Sequence, residues 1–241
     1  MVYKVGILGA TGRMGQEVAS LLHAGFTIGQ DTFELTVALA RTLSLTQVDG
    51  VPVKTFNDTP FDPIHVWIDF SQPEATIELL KNTREPVVIC TTGFSTSEID
   101  FIRVQSKERP ILLSPNTSPG ISFVLGMIES LPRVGPLGFD ISIEEVHHKT
   151  KKDKPSGTAK LLNDSLSSTG NPVIEIHSVR AGGEKGRHRI SFTGQEEEFV
   201  LEHRVFDRGV FARGAIQAAH FIVRQQKGLY SMKDVWRDYN G

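Results

Sequence analysis

The chain has 241 residues but a single cysteine, Cys90, and it has no long apolar run. One cysteine excludes an internal disulfide framework and favours a reducing compartment. No apolar stretch approaches the roughly 20 residues that a membrane-spanning helix needs. The first residues do not read as a secretory signal peptide, because the short apolar run 5–8 is followed at once by glycine. We therefore expect a cytoplasmic protein without a membrane partner.

Charge of one sign is not in excess either. The sequence has 26 Lys and Arg against 28 Asp and Glu, a formal net charge of -2. No global basic field is available to attract a polyanion, so we expect no nucleic-acid partner. The hydrophobic fraction of 39% and the charged fraction of 22% are ordinary for a folded globular protein.

Short apolar runs alternate with helical periodicity in the first half of the chain. The apolar runs predict strands over 5–8, 33–39, 66–70, 86–90 and 111–114. Helical spacing is found over 15–24, 73–81 and 96–107. Strands that alternate with helices predict a parallel sheet with helical crossovers. We therefore expect an N-terminal, Rossmann-like, doubly wound parallel sheet.

The pattern changes after Ser118. Helices are predicted over 121–130 and 157–167, and strands over 141–146, 173–179, 188–193 and 198–206. Because the last three strands have no long helices between them, they predict a smaller α+β domain with an open mixed sheet. A helical pattern returns over 214–225. The predicted fold class is α/β, with a first domain over 1–118 and a second over 119–207.

A glycine-rich turn separates the first strand from the first helix, which is the setting of a dinucleotide-binding motif. Small residues let a pyrophosphate approach the backbone, and the helix N-terminus favours the anion. Ala10 stands where the first glycine of G-x-G-x-x-G would be, and a simple tight turn is the alternative. The candidate cofactor-binding residues are Gly9, Ala10, Thr11, Gly12, Arg13 and Met14.

The end of the second strand is where the cofactor is selected. An acid there binds the ribose hydroxyls of NAD, whereas an arginine suits the 2′-phosphate of NADP. This chain has Ala40 and Arg41 and no acid, which favours NADPH over NADH unless Arg41 is only a solvated surface residue. Two later strand ends add candidate cofactor contacts, although ordinary turn chemistry explains them equally well. These candidates are Thr91, Thr92, Gly93 and Asn116.

The densest chemistry lies over 144–159, where two histidines follow a strand and four lysines fall within six residues. Lysines neutralise carboxylates, and the amides of Gly157 and Thr158 at a helix start can hold one. A histidine can deliver a proton near neutral pH. The segment therefore predicts a site for a small dianion. A solvated or nucleic-acid-binding loop is the alternative, but interleaved aromatics are lacking. No metal is expected, because neither cysteine nor carboxylate appears at a familiar ligand spacing.

The same segment resembles the signature of the 4-hydroxy-tetrahydrodipicolinate (dihydrodipicolinate) reductase family. The matching pattern is Val-His-His-x-x-Lys-x-Asp-x-Pro-Ser-Gly-Thr-Ala over 146–159. Further family landmarks occur in order along essentially the whole chain: Gly12-Arg13-Met14-Gly15, Ile68-Asp69-Phe70-Ser71 with Pro73-Glu74, Thr91-Thr92-Gly93-Phe94, Asn116, Val179-Arg180-Ala181-Gly182, and Phe211 with Gly214-Ala215.

The resemblance implies an oxidoreductase that uses NADPH or NADH to reduce a small cyclic dicarboxylate in lysine and diaminopimelate biosynthesis. By position, His147 matches the proton donor and Lys151 the second catalytic residue. The residues that match the substrate-binding positions are His148, Ser156, Gly157 and Thr158. The resemblance also implies that 208–241 complete the dinucleotide-binding domain, and that the second domain's sheet joins a homotetramer. Many members carry Glu-Arg where this chain has Ala40-Arg41, which weakens the case for NADH.

Two other functions stay open from the residues themselves. One is a Rossmann reductase acting on a different anionic substrate, which would need a different catalytic loop. The other is a non-catalytic NAD(P)H sensor, which would keep the glycine turn but would have no use for His147 or Lys151.

Overall fold

A computed structural model describes residues 1–42, 44–58 and 62–238 of the chain. The chain forms two compact units. The first comprises Met1–Thr117 and the chain from Gly209 onward, and the second comprises Ser118–Arg208. No helix within the described ranges is both long and apolar enough to span a bilayer.

The first unit is built on a nine-stranded sheet, counted over the described residues. Its strands are β1 (Val2–Leu8), β2 (Thr27–Ile28), β3 (Asp31–Leu39), β4 (Gln47–Val48), β5 (Val51–Lys54), β6 (Val66–Asp69), β7 (Val87–Ile89), β8 (Pro110–Leu113) and, near the C-terminus, β13 (Gly228–Tyr230). Its helices are α1 (Arg13–His23), α2 (Pro73–Asn82), α3 (Thr96–Gln105), α6 (Gly209–Ile222) and α7 (Met232–Asp238), with a short 3-10 helix over Phe56–Asp58.

The strand order is β13-β8-β7-β6-β1-β3-β5-β4, with β2 paired to β3. Every neighbouring pair from β13 to β5 is parallel, whereas β4 and β2 pair in the antiparallel direction. The chain runs outward from β1 through β3 to β5 and then returns to β6 on the other side of β1. This reversal is the topological switch point of a doubly wound sheet, and it confirms the predicted fold class.

Helices cover both faces of this sheet, which explains why its central strands are apolar runs without alternation. Ile7 packs in a core that also contains Val18 of α1 and Ile216 of α6. Leu8, which points to the opposite face, packs in a second core with Leu79 of α2 and other helical residues. Consecutive residues of one strand are therefore both fully buried.

The last long helix begins earlier than the sequence pattern indicates. We predict 214–225, whereas α6 spans Gly209–Ile222 and 223–225 form a turn. Two glycines lie in the helix, and the packing requires Gly214 because a Cβ at this position would lie 1.9 Å from the carbonyl oxygen of Thr117. Strands β2, β4, β5 and β13 were not predicted, since runs of two to four residues are too short to show a period.

The second unit is a four-stranded mixed sheet in the order β10-β9-β11-β12. Its elements are α4 (Pro119–Ser130), a 3-10 helix (Gly135–Leu137), β9 (Asp140–His147), α5 (Gly157–Ser168), β10 (Glu175–Arg180), β11 (Arg187–Thr193) and β12 (Glu198–Arg204). The β10–β9 pair is parallel and the other two pairs are antiparallel, which confirms the predicted mixed sheet. Ile143 and Ile190 face a core with Leu162 of α5 and Val124 of α4.

Candidate active site

In the first unit, the candidate cofactor-binding residues all follow the carboxyl ends of parallel strands. Each strand end is tied to its neighbour by a backbone hydrogen bond beyond the ladder. These bonds run from Gly9 N to Leu39 O (2.9 Å), Phe70 N to Leu8 O (3.0 Å), Cys90 N to Asp69 O (2.9 Å) and Ser114 N to Ile89 O (3.0 Å). The loops that carry these candidates are therefore held side by side along one edge of the sheet.

The glycine turn ends in an uncapped helix. Gly12 is the N-cap of α1, in extended conformation, with no side-chain cap hydrogen bond and no acidic residue in the first turn. The turn is tight because Gly12 N donates to Gly9 O at 2.9 Å. A Cβ at Gly15 would lie 2.3 Å from Gly9 O, so only glycine lets the helix pack this closely on the turn. The turn thus lets a ligand approach the backbone closely, and the first-turn amides of α1 have no acceptor within the helix. With no acid in that turn to compete, these features suit a pyrophosphate.

The later cofactor candidates differ in what their side chains do. Arg41, Thr92 and Gly93 are exposed. Asn116 is buried, and its carbonyl accepts the Ser114 hydroxyl at 2.7 Å. Thr91 is also buried, and its hydroxyl is bonded within the protein to Asp69.

Asp69 organises two of these strand ends. It is fully buried, and its carboxylate accepts the Thr91 hydroxyl at 2.9 Å, the Ser71 backbone amide at 2.9 Å and the Thr76 hydroxyl at 2.5 Å. Thr91 Oγ1 in turn accepts the Ser71 amide at 2.9 Å. Burial raises the pKa of Asp69, although the hydrogen bonds from Ser71, Thr76 and Thr91 oppose that shift. This network was not predicted, although an acid at the end of an otherwise apolar strand is a sequence signal for it.

In the second unit, a polar row crosses the core face of the sheet. Strand register places Ser178 beside Glu145, Glu145 beside His188, and His188 beside His203. All four positions point to the same side as the apolar core, since side chains alternate along each strand. The sequence does not show that these residues meet, because the register of strands far apart in the chain is not visible in it.

Glu145 is the centre of that row and is fully buried. Its Oε2 contacts His147 Nδ1, and its Oε1 accepts from Arg180 Nη2 at 2.7 Å and from the Ser156 backbone amide at 3.3 Å. Burial would raise the pKa of Glu145, but hydrogen bonds from His147 and Arg180 outweigh it and hold the pKa of this carboxyl far below its usual range. The carboxylate is therefore ionised and accepts only.

His147 and His188 form the next layer of the site. The two rings lie edge to face with centroids 5.1 Å apart. His188 is buried, and its Nε2 lies 3.2 Å from Ser156 Oγ. Burial first, and then the neighbouring charge of His147, lower the pKa of His188 to about 3. His188 is therefore neutral at physiological pH.

Helix α5 begins at Gly157, and the residue before it, Ser156, contacts both Glu145 and His188. Ser156 is the N-cap, and its hydroxyl accepts the Ala159 amide at 3.2 Å. The first turn contains Gly157 and the buried Thr158 and has no acidic residue. A helix start with these properties suits a carboxylate.

The lysine loop after β9 contributes one organised cation. Lys151 is partly buried and pairs with Asp153, Nζ to Oδ1, at 2.8 Å. Burial would raise the pKa of Asp153, but the hydrogen bond from Lys151 outweighs it and lowers that pKa. His148 is half-buried, and its Nδ1 lies 2.7 Å from Thr150 Oγ1.

The sequence shows no familiar metal-ligand spacing, but the fold brings one carboxylate and two histidines of this unit together. Ligand atoms of Glu145, His147 and His188 all lie within 4.8 Å of one another. Glu145 precedes His147 by two positions, which puts both side chains on one strand face. Because both carboxylate oxygens already accept hydrogen bonds and Arg180 supplies a cation, the cluster is better matched to a proton than to a divalent ion.

The fold is the one found in two-unit pyridine-nucleotide dehydrogenases and reductases. An engineered D-amino acid dehydrogenase bound to NADP+ has the same fold, with a TM-score of 0.58, 12% identity and coverage of 97% of this chain and 94% of that one. A dipicolinate-bound dihydrodipicolinate reductase from Paenisporosarcina sp. TG-14 is more similar, with a TM-score of 0.70, 23% identity and coverage of 97% and 99%.

Sequence comparison then gives the family. The family models "Dihydrodipicolinate reductase, N-terminus" and "Dihydrodipicolinate reductase, C-terminus" match residues 3–117 and 120–236. The 4-hydroxy-tetrahydrodipicolinate reductase of Bdellovibrio bacteriovorus is 36% identical, with coverage of 96% of this chain and 95% of the relative. That of Rubrobacter xylanophilus is 34% identical, with 96% and 97% covered.

The chain belongs to the dihydrodipicolinate reductase family, which confirms the resemblance in the sequence. It is thus an oxidoreductase of lysine and diaminopimelate biosynthesis, which reduces 4-hydroxy-tetrahydrodipicolinate to tetrahydrodipicolinate with NAD(P)H.

Proposed function

We propose that this reductase prefers NADPH to NADH, that the first unit binds the cofactor, and that the second unit binds and protonates the substrate. When bound, the reduced nicotinamide supplies the hydride. The residues proposed to hold the cofactor are Gly9, Ala10, Thr11, Gly12, Arg13, Met14, Arg41, Thr92, Gly93 and Asn116, with Thr91 shaping its loop from within.

The preference for NADPH is supported by the two residues after β3. Ala40 is buried and Arg41 is exposed, and neither position carries an acid. The glycine turn is bonded to Leu39, two positions before Arg41. A guanidinium fork at that position can pair with a 2′-phosphate at two points.

In the second unit, we assign His147 as the proton donor and Lys151 as the cation that stabilises negative charge on the substrate. The Gly157 and Thr158 amides would hold one carboxylate at the start of α5, and His148 and Ser156 would line the same site. Electron density that builds on the substrate ring as the hydride arrives is relieved by an acid and a nearby cation.

One observation carries this assignment. The Glu145 carboxylate touches both the His147 ring and the amide of Ser156, the N-cap of α5. A single buried group thus fixes the proton donor and the anion-binding helix start within one hydrogen-bond network. Neither a tight turn alone nor a solvated lysine loop accounts for that arrangement.

The test measures NADPH oxidation with freshly prepared 4-hydroxy-tetrahydrodipicolinate as the substrate. It compares the unmodified chain with His147→Gln. We expect turnover to fall roughly 10²- to 10⁴-fold, as for loss of a general acid, with NADPH binding nearly intact. Turnover that stays at the unmodified level would overturn the assignment of His147.

We also propose that the chain forms a cytoplasmic homotetramer through the sheet of the second unit. Helices α4 and α5 pack on the side that bears Ile143, whereas Glu144 and Val146 point to the other side. That open face carries both signs of charge, including the Arg187–Glu144 pair at 2.7 Å. Sedimentation equilibrium and cell fractionation test the assembly and the location.

A further inference from the structure

The Glu145–His147 contact fixes which nitrogen of the histidine can give up a proton. An ionised carboxylate can only accept hydrogen bonds. Since Glu145 Oε2 contacts His147 Nδ1, that nitrogen must carry a hydrogen in the protonated and in the neutral ring. The atom left to deliver a proton is Nε2.

The His147 side chain is buried, and a glycine leaves space beside Nε2. A Cβ at Gly186 would lie 3.3 Å from His147 Nε2, and Gly186 has φ +151°, a conformation that favours glycine. A side chain at this position would crowd Nε2. The His147 carbonyl is also fixed, because it accepts the Ala181 amide at 2.9 Å.

Glu145 is itself held from two other elements. Arg180 of β10 and the N-cap amide of α5 both donate to Oε1, which leaves Oε2 for the histidine. The charged and titratable groups that face the pair are Arg180 from β10, His188 from β11, and Lys151 with Asp153 from the loop after β9. The first turn of α5 adds no acid.

We propose that Glu145 is a positioning residue that holds His147 as the Nδ1–H form and keeps Nε2 as the proton-delivering atom. This inference rests on the proposed role of His147. When Nε2 releases its proton, the neutral ring keeps its hydrogen bond to Glu145 unchanged, so no reorientation is needed during the reaction. The negative carboxylate also stabilises the protonated ring that precedes the transfer.

A glutamine at position 145 cannot do the same. Its oxygen must face Arg180 and the Ser156 amide, because both are donors only. Its NH₂ group then faces His147 Nδ1, which must become an acceptor, so the ring hydrogen moves to Nε2 and the protonated ring is disfavoured. Glu145→Asp keeps the charge and the acceptor character with a shorter reach.

The first measurement needs no substrate, and its decisive result comes from the protein with Glu145 unchanged. Histidine labelled with 15N should show that His147 in the unmodified protein keeps its hydrogen on Nδ1 at the alkaline end of the titration, with His147→Gln identifying the resonance. In Glu145→Gln the hydrogen should move to Nε2. An Nε2–H ring in the unmodified protein would overturn the proposal even if Glu145→Gln fails to fold.

The second measurement is the pH profile of turnover. Glu145→Gln should lower turnover roughly 10- to 100-fold and move the alkaline fall of activity to lower pH, because the protonated ring loses its negative partner. Glu145→Asp should restore the position of that fall. Asp164→Asn, an exposed carboxylate on α5, should change neither. A profile that keeps its position in Glu145→Gln contradicts the proposal.

A double variant separates this inference from the proposed function. In the His147→Gln background, Glu145→Gln should cost little further activity, because it acts through His147. Equal losses in both backgrounds would overturn the positioning role. If His147→Gln itself keeps full turnover, the proposed function fails, whereas the 15N measurement still decides whether Glu145 sets the form of the His147 ring.

Discussion

Ser156 Oγ and His188 Nε2 lie 3.2 Å apart in the core of the second unit, which joins the cap of α5 to strand β11. Ser118, the N-cap of α4, makes the equivalent contact at 3.1 Å with His203 of β12. Two helix starts are therefore anchored to two histidines of one polar row. Burial lowers the pKa of both imidazoles, so both bonds join neutral groups at physiological pH.

The low pKa of His188 predicts acid sensitivity of folding. The pKa of His188 is about 3 in the folded state, against an ordinary value of 6.5, so the folded protein binds fewer protons than the unfolded chain. The free energy of unfolding therefore decreases as the pH falls below 6.5. Between pH 7.5 and pH 5 this lowers the free energy of unfolding by about 2 kcal/mol. Urea unfolding at both pH values should show that slope in the unmodified protein and lose most of it in His188→Gln, with the remainder coming from His203. His177→Gln, an exposed histidine on β10, should keep the full slope. An undiminished slope in His188→Gln would refute this assignment.

Much of the fold was predictable because its signals are local. The apolar run of β6, the glycine turn before α1 and the Pro-Ser-Gly-Thr start of α5 each state their structure within a few residues. The chemistry of the 144–159 segment was equally visible. Glu145 was in view there, but its role depends on Arg180 and on strand register, which only the folded sheet supplies.

The role of Thr91 shows the same limit at the cofactor side. Its place after a strand predicted contact with the cofactor, whereas its hydroxyl is occupied by Asp69 and by the Ser71 amide. Position along the chain indicates the loop, but hydrogen bonds between neighbouring strand ends determine what each side chain does there.

Removal of Asp69 should damage folding and cofactor binding together. Asp69→Ala leaves the Ser71 amide and the Thr76 and Thr91 hydroxyls without their buried acceptor. We expect a loss of about 2 kcal/mol or more in the free energy of unfolding, since each unsatisfied buried group costs about 1–3 kcal/mol. NADPH titration should also show weaker binding, because the loops after β6 and β7 lose their link. Asp69→Asn keeps one acceptor oxygen, so its stability and its NADPH affinity should lie between those of the unmodified protein and Asp69→Ala. Tight NADPH binding in Asp69→Ala would show that this network does not shape the cofactor site.

Loss of Lys151 should affect substrate more than cofactor. Lys151→Ala removes the cation that pairs with Asp153 and that we place against the substrate dianion. We expect KM for the substrate to rise and turnover to fall, with a combined loss in kcat/KM of roughly 100-fold or about 2.7 kcal/mol. Lys160→Ala, an exposed lysine on α5, is the matched control. A variant in which only NADPH binding weakens would move Lys151 out of the substrate site.

Cofactor choice depends on the pair of residues after β3. Arg41 is exposed and its neighbour Ala40 is buried and apolar, so a 2′-phosphate meets a guanidinium with no acid beside it. The ribose hydroxyls of NADH find no acidic partner there, so both effects favour NADPH. We expect the unmodified chain to prefer NADPH by about tenfold, or roughly 1.4 kcal/mol.

Three variants separate the contributions to that preference. Arg41→Ala should remove most of the preference by weakening the binding of NADPH alone. Ala40→Glu should strengthen the binding of NADH by offering its ribose an acceptor. Arg13→Ala, at the start of α1, should weaken both cofactors equally, because both carry the same pyrophosphate. Calorimetry in low-phosphate buffer measures all four proteins without turnover. Equal or tighter binding of NADH by the unmodified chain would show that Arg41 does not select the cofactor, and a loss of both cofactors in Arg41→Ala would place its guanidinium on the pyrophosphate instead.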